Sequence, residues 1–290
     1  MTWKRLVANA MTEWQYNQVM FHYVHLTQRQ RPRWLNLRHP KTFNEKIIWL
    51  KMNHRESSAT MLADKVLVKD HVARIIGSHY VIPTLGVWDD ASHIDFSALP
   101  EAFVLKANHG STWNIICPNR SGLNQEATRR QLNDWLRTNY YDIGKEYQYR
   151  HIPPRILCEV FLENSREEPL NDYKIFCFSG KPYCIQVDLD RFTDHHRNFY
   201  DINWNYLPFT TLYPLGERRL PRPEALDEML SIASKLSAGL VFVRIDLYYH
   251  RKRVYFGEVT FHHGGGFEPF IPAEYDYELG RQLCLPARSI

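Results

Sequence analysis

The chain lacks a C-x-x-C pair, an uninterrupted apolar run of membrane-spanning length, an internal repeat and any low-complexity tract. The first absence excludes the common zinc-ribbon and dithiol-redox frameworks. Its five cysteines, Cys117, Cys158, Cys177, Cys184 and Cys284, are scattered, mostly through apolar strand-like runs, and read as buried free thiols of a reducing compartment. Charge of one sign is also scarce: 36 Lys and Arg stand against 32 Asp and Glu, a net of +4 over 290 residues. That balance argues against a global nucleic-acid-binding field, and no nucleic acid is expected as a partner. No G-x-S-x-G occurs, so "HHGGG" at His262–Gly266 is not the oxyanion hole of a lipase or esterase. The opening "MTWKRLVANAMTEWQYNQ" has Lys4 and Arg5 but an apolar stretch too short for a signal-peptide core. The expectation is a soluble cytoplasmic protein, with peripheral contact at the inner membrane face left open.

What is present is globular: 44% hydrophobic and 23% charged residues, enough for one large or two modest domains. Residues 1–60 read as a helical, basic segment. Met20, Phe21, Tyr23, Val24 and Leu26 form an apolar surface, and Arg29, Arg31, Arg33, Arg38 and Lys41 follow around Pro32 and Trp34. Such a cluster suits phosphates, an anionic membrane surface or plain solvent. "KTFNEKIIWLKMN" has helical spacing with Thr42 as a cap, and "LADKVLVKDHVARIIG" predicts a helix closed by Gly77. Beyond it, "YVIPTLGVW", "AFVLKANHGSTWNIIC", "RILCEVFLE", "YKIFCFSGKPYCIQVDLD", "LVFVRIDLYY" and "RVYFGEVTF" are strand-like, interrupted by the helical "NQEATRRQLNDWLRTNYY" and "PEALDEMLSIASKLSAG". Helices and strands do not alternate regularly, so the class is α+β with substantial antiparallel sheet.

Charged residues stand where a strand normally buries apolar ones. In "FVRIDLYYH", Arg244 and Asp246 share a face opposite Val243, Ile245 and Leu247; in the returning strand Glu258 and Thr260 share one opposite Val259 and Phe261. Antiparallel pairing can bring Asp246 near Glu258, and two adjacent carboxylates call for a proton or cation between them, Mg²⁺ being suited. The same acids could instead pair with Arg251, Lys252 and Arg253. Lys106 ends an apolar strand before "NHGST", where Gly110 permits close backbone approach and Ser111 and Thr112 add hydroxyls, a loop fit for phosphate.

The order of these segments resembles the ATP-grasp ligases, and within them the TupA-like proteins associated with teichuronopeptide biosynthesis. The likeness is carried by "KTFNEKIIWLKMN", "LADKVLVKDHVARIIGSHYVIPTLGVW", "LPEAFVLKANHGSTWNIIC", "DYKIFCFSGKP" and "GEVTFHHGGGFEPF", spanning residues 40 to 270. It implies an ATP-grasp fold of two α+β subdomains clasping ATP over residues 61–285, with a lid and adenine-linker part at 61–165 and a metal-binding sheet at 166–285. A larger relative's Rossmann-like N-terminal domain would be replaced by the helical basic segment. The resemblance assigns Lys65 and Lys106 to ATP phosphates or adenine N7, and Gly110 and Ser111 to a phosphate-covering loop. It assigns Glu159, Val160, Phe161 and Leu162 to the adenine linker, Glu163 to the ribose, and Lys174 to a further phosphate contact. Arg244 would steady the transferring phosphoryl group or tetrahedral intermediate; Asp246, Glu258 and Thr260 would hold Mg²⁺.

Thr260 stands where the family often has Asn, and His262-His263-Gly264 where many relatives have Pro-Gly, which puts a second metal ion in question. The implied activity is carboxylate-amine ligation through an acyl phosphate, on a carboxylate-bearing sugar or amino acid and an amine, in surface polysaccharide biosynthesis, with lipid-linked polysaccharide or a membrane met through Arg29 to Lys41. Two alternatives stand beside it: a glycosyltransferase using the D-x-D of Asp188-Leu189-Asp190, and a degenerate module that binds nucleotide without turnover. "DLDRFTDHHRNFYDINWNYLPF" suits a sugar-binding loop or an ordinary surface excursion. His195-His196 and His262-His263 lack the spacing of zinc ligands.

Overall fold

Apolar residues recur at helical spacing in "FNEKIIWLKMN" and alternate in "FVRIDLYYH", and each becomes the element its period implies. The computed structural model describes residues 10–30, 33–163, 170–189 and 194–287. In chain order the helices are α1 (Glu13–Thr27), α2 (Phe43–Asn53), α3 (Ala59–Ala63), α4 (Leu67–Ile76), α5 (Gln125–Leu136), α6 (Tyr141–Gly144), α7 (Leu226–Leu236) and α8 (Glu274–Gln282). The strands are β1 (Thr84–Trp88), β2 (Phe103–Ala107), β3 (Asn114–Cys117), β4 (Ile156–Val160), β5 (Asn171–Phe178), β6 (Lys181–Leu189), β7 (His196–Asp201), β8 (Tyr206–Leu207), β9 (Thr210–Thr211), β10 (Phe242–His250), β11 (Arg253–Thr260) and β12 (Phe270–Ile271). The chain divides into two compact units, Ser57–Leu170 and Met1–Glu56 with Asn171–Ile290.

In the unit Ser57–Leu170, four antiparallel strands run in the order β1-β4-β2-β3. Phe103, Leu105 and Ala107 alternate inward and bury against Ile156, Cys158, Cys117 and the α5 residues Leu132 and Trp135. Val104, Lys106 and Glu159 lie on the opposite face, in register across β2 and β4. "ADK" was expected within a helix. Asp64 instead ends α3, and Lys65 and Val66 turn before α4, because the Asp64 carboxylate accepts from Val66 N at 2.8 Å and Leu67 N at 3.3 Å and so starts a new helix. Gly77, with φ of +114°, closes α4 as predicted.

The other unit holds a six-stranded antiparallel sheet in the order β11-β10-β5-β6-β7-β8. One face buries Ile175, Cys177, Ile185, Val243, Ile245 and Leu247, and α7 packs against its strands through a face of Leu226, Met229, Ile232, Ala233 and Leu236. On the other face Phe176, Phe178, Phe199, Phe242 and Cys184 pack with Phe43, Ile47 and Leu50 of α2 and Leu279 of α8, while Asp172, Lys174, Asp188, Arg197, Arg244 and Asp246 hold charged positions beside them. Two hairpins set this pattern. Ser179-Gly180 and Arg251-Lys252, all at positive φ, make tight two-residue turns, and each hairpin then carries one extra residue in its second strand: Tyr183 in β6, Gly257 in β11. The extra residues shift Asp188 opposite Asp172 and Glu258 opposite Asp246. The stretch read as a loop after Asp188 contains β7, whose polar residues hid its alternation; Asp190 lies outside the described residues.

Near the N-terminus, α2 begins with a capping box. Thr42 accepts from Glu45 N at 3.3 Å and Glu45 accepts from Thr42 N at 3.1 Å. Arg33 is drawn in as well, 2.8 Å from Glu45, 2.8 Å from Thr42 and 3.3 Å from Asp276, while Arg31 is outside the described residues. Asp276 accepts from Asn44 N at 2.9 Å, yet burial dominates and pushes its pKa up to about 6. Because that value is raised over the unfolded one, the stability linked to Asp276 is fully present below the unfolded pKa and is lost as pH rises through about 6. We predict that Asp276→Asn loses least, or gains, at pH values above that window. In urea unfolding, the difference between variant and native chain should move toward the native chain as pH falls through the window.

Candidate active site

In the unit Ser57–Leu170 the predicted residues divide into two contacts. Lys106 of β2 and Lys69 of α4 reach the same carboxylate, Glu159 of β4, each at 2.5 Å. Burial raises the Glu159 pKa, but the two ammonium groups outweigh it and hold Glu159 below its ordinary value. Lys65 donates to the Gly110 carbonyl at 2.5 Å. Val160 N donates to Pro83 O at 3.1 Å where β4 ends; Phe161 and Leu162 continue half-buried and Glu163 is exposed.

The "NHGST" loop is anchored at one end. Asn108, with no exposed surface, donates to Asp64 Oδ1 and to Pro153 O, both at 3.0 Å, and accepts from Arg155 N at 2.7 Å. Arg155 in turn donates to Asp64 Oδ2 at 2.9 Å, and His109 is buried between Asn108 and the Trp135 carbonyl. Gly110 is buried, Ser111 is half-buried and Thr112, at φ of +63°, is exposed. The arrangement is a fixed base with an exposed tip. Asn108→Ala would strand Asp64, Pro153 and Arg155 groups inside the protein, so we expect a loss of about 3 kcal/mol from this unit. Unfolding followed by Trp113 and Trp135 fluorescence measures it.

In the other unit all five predicted sheet residues come together. Arg244 grips Asp246 as a fork, Nε to Oδ1 and Nη2 to Oδ2, both at 2.7 Å. Its Nη2 also lies 3.2 Å from Thr260 Oγ1 and 3.5 Å from Glu258 Oε1, and Thr260 donates to Glu258 at 3.2 Å. Lys174 lies against Asp172, 3.2 Å from Asp246 and 3.9 Å from Asp188. The contacts continue through residues that sequence reasoning missed. Arg244 Nη1 meets His263 Nδ1 at 2.8 Å, His263 Nε2 lies 3.3 Å from Glu268, and Arg197 bridges Glu268 to Asp188, both at 2.7 Å. Lys174, Asp246, Arg244, His263, Glu268, Arg197 and Asp188 therefore close a ring.

Arginine has only N–H donors, so His263 Nδ1 accepts and its proton sits on Nε2, toward Glu268. Burial holds the His263 pKa down, consistent with a neutral ring. Burial also opposes the charges on Arg244 and Lys174, but Asp246 for the first and Asp172 with Asp246 for the second more than offset it, and both bases hold their protons firmly. Burial likewise opposes ionisation of Asp188 and Glu268. His195 and Arg197 at the first, and Arg197 at the second, keep them well below the usual carboxylate range.

Among the described residues no group of three or more His, Cys, Asp and Glu is placed to hold a metal ion, and Asp246 is largely taken by Arg244 and Lys174. The donor set nonetheless fits Mg²⁺. Leaving the histidines aside, Asp172, Asp188, Asp246, Glu258 and Glu268 outnumber Lys174, Arg197 and Arg244 by two, and the Glu258 side chain is 37% exposed. Magnesium takes one or two carboxylates and fills its shell with water and phosphate oxygens, so a complete protein cage is not required.

In the six-stranded sheet, then, the R-x-D of β10 lies directly across from the E-x-T of β11. The chain belongs to the TupA-like ATPgrasp family, whose model matches residues 45–284. No curated protein matches it. Solved structures similar to it include the D-alanine–D-alanine ligase of Helicobacter pylori, at 16% identity and a TM-score of 0.43, with 84% of this chain and 69% of that one covered. The Bacillus anthracis D-alanine–D-alanine ligase complexed with ATP is 13% identical at a TM-score of 0.40, covering 69% of this chain. The ATP-grasp ligase PsnB with minimal precursor, Mg and ADP is 12% identical at 0.38, with 76% of this chain and 58% of that one covered. The chain spans 53% of the Bacillus anthracis enzyme in that complex.

Proposed function

We propose that this chain is an ATP-dependent carboxylate-amine ligase that activates its acid as an acyl phosphate. The observation that carries the reading is the convergence of Arg244, Asp246, Glu258 and Thr260 on one sheet face in a member of the TupA-like ATPgrasp family. In the first step a carboxylate oxygen attacks the γ-phosphorus of ATP and the bond to the β–γ bridging oxygen breaks, releasing ADP. An amine then attacks the acyl carbon, phosphate leaves, and the amine nitrogen gives up a proton as the amide forms.

Negative charge crowds both steps, so the protein's part is to neutralise and position. Arg244 keeps its proton throughout and offers Nη2 beside Glu258 and Thr260, where a transferring phosphoryl oxygen could be met. Lys65 and Lys106 supply positive charge for the phosphates, Lys106 sharing itself with Glu159. Main-chain groups of Glu159 to Leu162 would bind adenine and Glu163 the ribose. Asp246, Glu258 and Thr260 would hold magnesium, which when bound acts as a Lewis acid on phosphate oxygens. Lys174 has a positioning role in this reading, fixing Asp246 through the 3.2 Å contact, in addition to any phosphate it meets.

A carboxylate on a sugar or an amino acid, an amine acceptor and a setting in surface polysaccharide assembly are the finer form of the proposal, supported by the motif likeness. The glycosyltransferase reading is weakened by Asp188, which is buried and held by Arg197 and Gln186. The test is ADP release by the purified chain with Mg²⁺ and a panel of uronic acids, amino acids and amines, against Glu258→Gln. The ligase reading expects turnover that needs metal, acid and amine together, and falls by roughly 10²-fold or more in Glu258→Gln. ATP binding without turnover under any pairing would point to a module that only binds nucleotide, and absence of ATP binding would overturn the reading altogether.

A further inference from the structure

Helix α1 has two apolar sides. Tyr16, Met20 and Phe21 bury against Leu35, Ile48 and Phe267, as a helix on a core must. The other side carries large apolar residues among its polar ones. Val19, Tyr23 and Leu26, on successive turns, are 38%, 43% and 62% exposed. Trp34, 75% exposed, continues the stripe because its ring lies 4.8 Å from that of His22.

The charge around this stripe has one sign. Between Glu13 and Glu45 the sequence holds Arg29, Arg31, Arg33, Arg38 and Lys41 and no Asp or Glu at all. Arg33 is neutralised by Glu45 and Asp276. Arg29, Arg38 and Lys41 are exposed, in the segment that carries Trp34. From residue types alone this segment could face phosphates, a membrane or solvent. The exposed aliphatic and aromatic stripe beside the cations decides among them, because a phosphate-binding or solvated segment gains nothing from Val19, Leu26 and Trp34 in water.

We infer that α1 together with Arg29, Trp34, Arg38 and Lys41 forms an in-plane docking face for an anionic lipid bilayer. Leu26, Val19 and the Tyr23 and Trp34 rings enter the headgroup boundary, while Arg29, Arg38 and Lys41 meet the lipid phosphates. No helix among the described residues is long and apolar enough to cross a membrane, so the contact is peripheral. It is independent of the ligase proposal: either can fail alone.

The test is flotation of the purified full chain with vesicles of phosphatidylcholine alone and of phosphatidylcholine mixed equally with phosphatidylglycerol. A variant carrying Leu26→Gln and Trp34→Gln is compared, both sites being exposed and circular dichroism confirming that it folds. The inference expects binding to the mixed vesicles only, weakening as NaCl is raised, and roughly tenfold weaker binding by the variant. No flotation at low salt overturns it. So does flotation that the two substitutions leave unchanged, which would reduce the contact to net charge. Self-association that the variant loses, with no flotation, would assign the face to a second copy and also overturn it.

Discussion

Two extra residues decide which side chains the central sheet can bring together. In the β10–β11 hairpin the pairs run evenly from the turn until Leu247 meets Phe256; Gly257 then intervenes, and Asp246 meets Glu258. Without that insertion Glu258 would stand opposite Ile245 and point toward α7, on the face lined by Val243 and Leu247. Tyr183 does the same in the β5–β6 hairpin, and without it Asp188 would leave the face of Lys174. Gly257 suits its position because a Cβ there would sit 3.0 Å from the Asp246 carbonyl and 3.1 Å from the Tyr248 ring. A local irregularity in each of two hairpins thus creates one continuous charged surface.

That surface is tolerable inside a protein because no charge on it is solitary. An isolated buried carboxylate or ammonium would be neutralised by its own desolvation. Lys174, Arg244 and Arg197 each touch two or more carboxylates, and His263 carries the contact from Arg244 to Glu268 while remaining uncharged. Of these carboxylates only Glu258 reaches solvent to any extent, at 37% exposed, whereas the Asp246 side chain across from it is 3% exposed. In the proposed reaction a phosphate-bearing ligand would meet a framework held on its inner side by these contacts, with Glu258 as its exposed member. Rigid inner groups are what positioning demands, since catalysis by neutralisation depends on groups that need not reorganise when charge moves.

Much of this was legible in the residues, and the omissions have identifiable causes. That Arg244 and Asp246 share one face of their strand, and Glu258 and Thr260 one face of theirs, followed from strand parity, and the cap at Thr42 from its place before a helical run; the Arg244–Asp246 ion pair and the return bond from Glu45 did not. Glu268, His263 and Arg197 escaped because they join the ring from a glycine-rich turn and from a strand whose polar residues masked its alternation. The proximity of Asp172 to Asp188 depends on a one-residue bulge that no periodicity announces, although Pro182, which cannot donate to a ladder, marked an irregularity nearby. Asn108 was read as part of a phosphate loop. Its role is to bolt that loop to Asp64 and Arg155, and only the fold places those residues beside it.

The same helix serves the ring and the docking face, and the reason is steric. Gly266, three residues after His263, has φ of +79°, and a Cβ there would lie 2.5 Å from Ile48 Cγ1 and 3.0 Å from Asn44 O. Only glycine lets the chain turn against α2 so closely. Phe267 then packs beside Ile48 with Tyr16 and Phe21 of α1, while the ring of Phe43, at the start of α2, lies tilted 6.2 Å from that of His263. The α1 face and the Arg244–His263 contact are accordingly held by opposite ends of one short run, His263 to Phe267, pressed onto one helix. A side chain at Gly266 would have to displace α2, and with it both the support of α1 and the packing that orients His263.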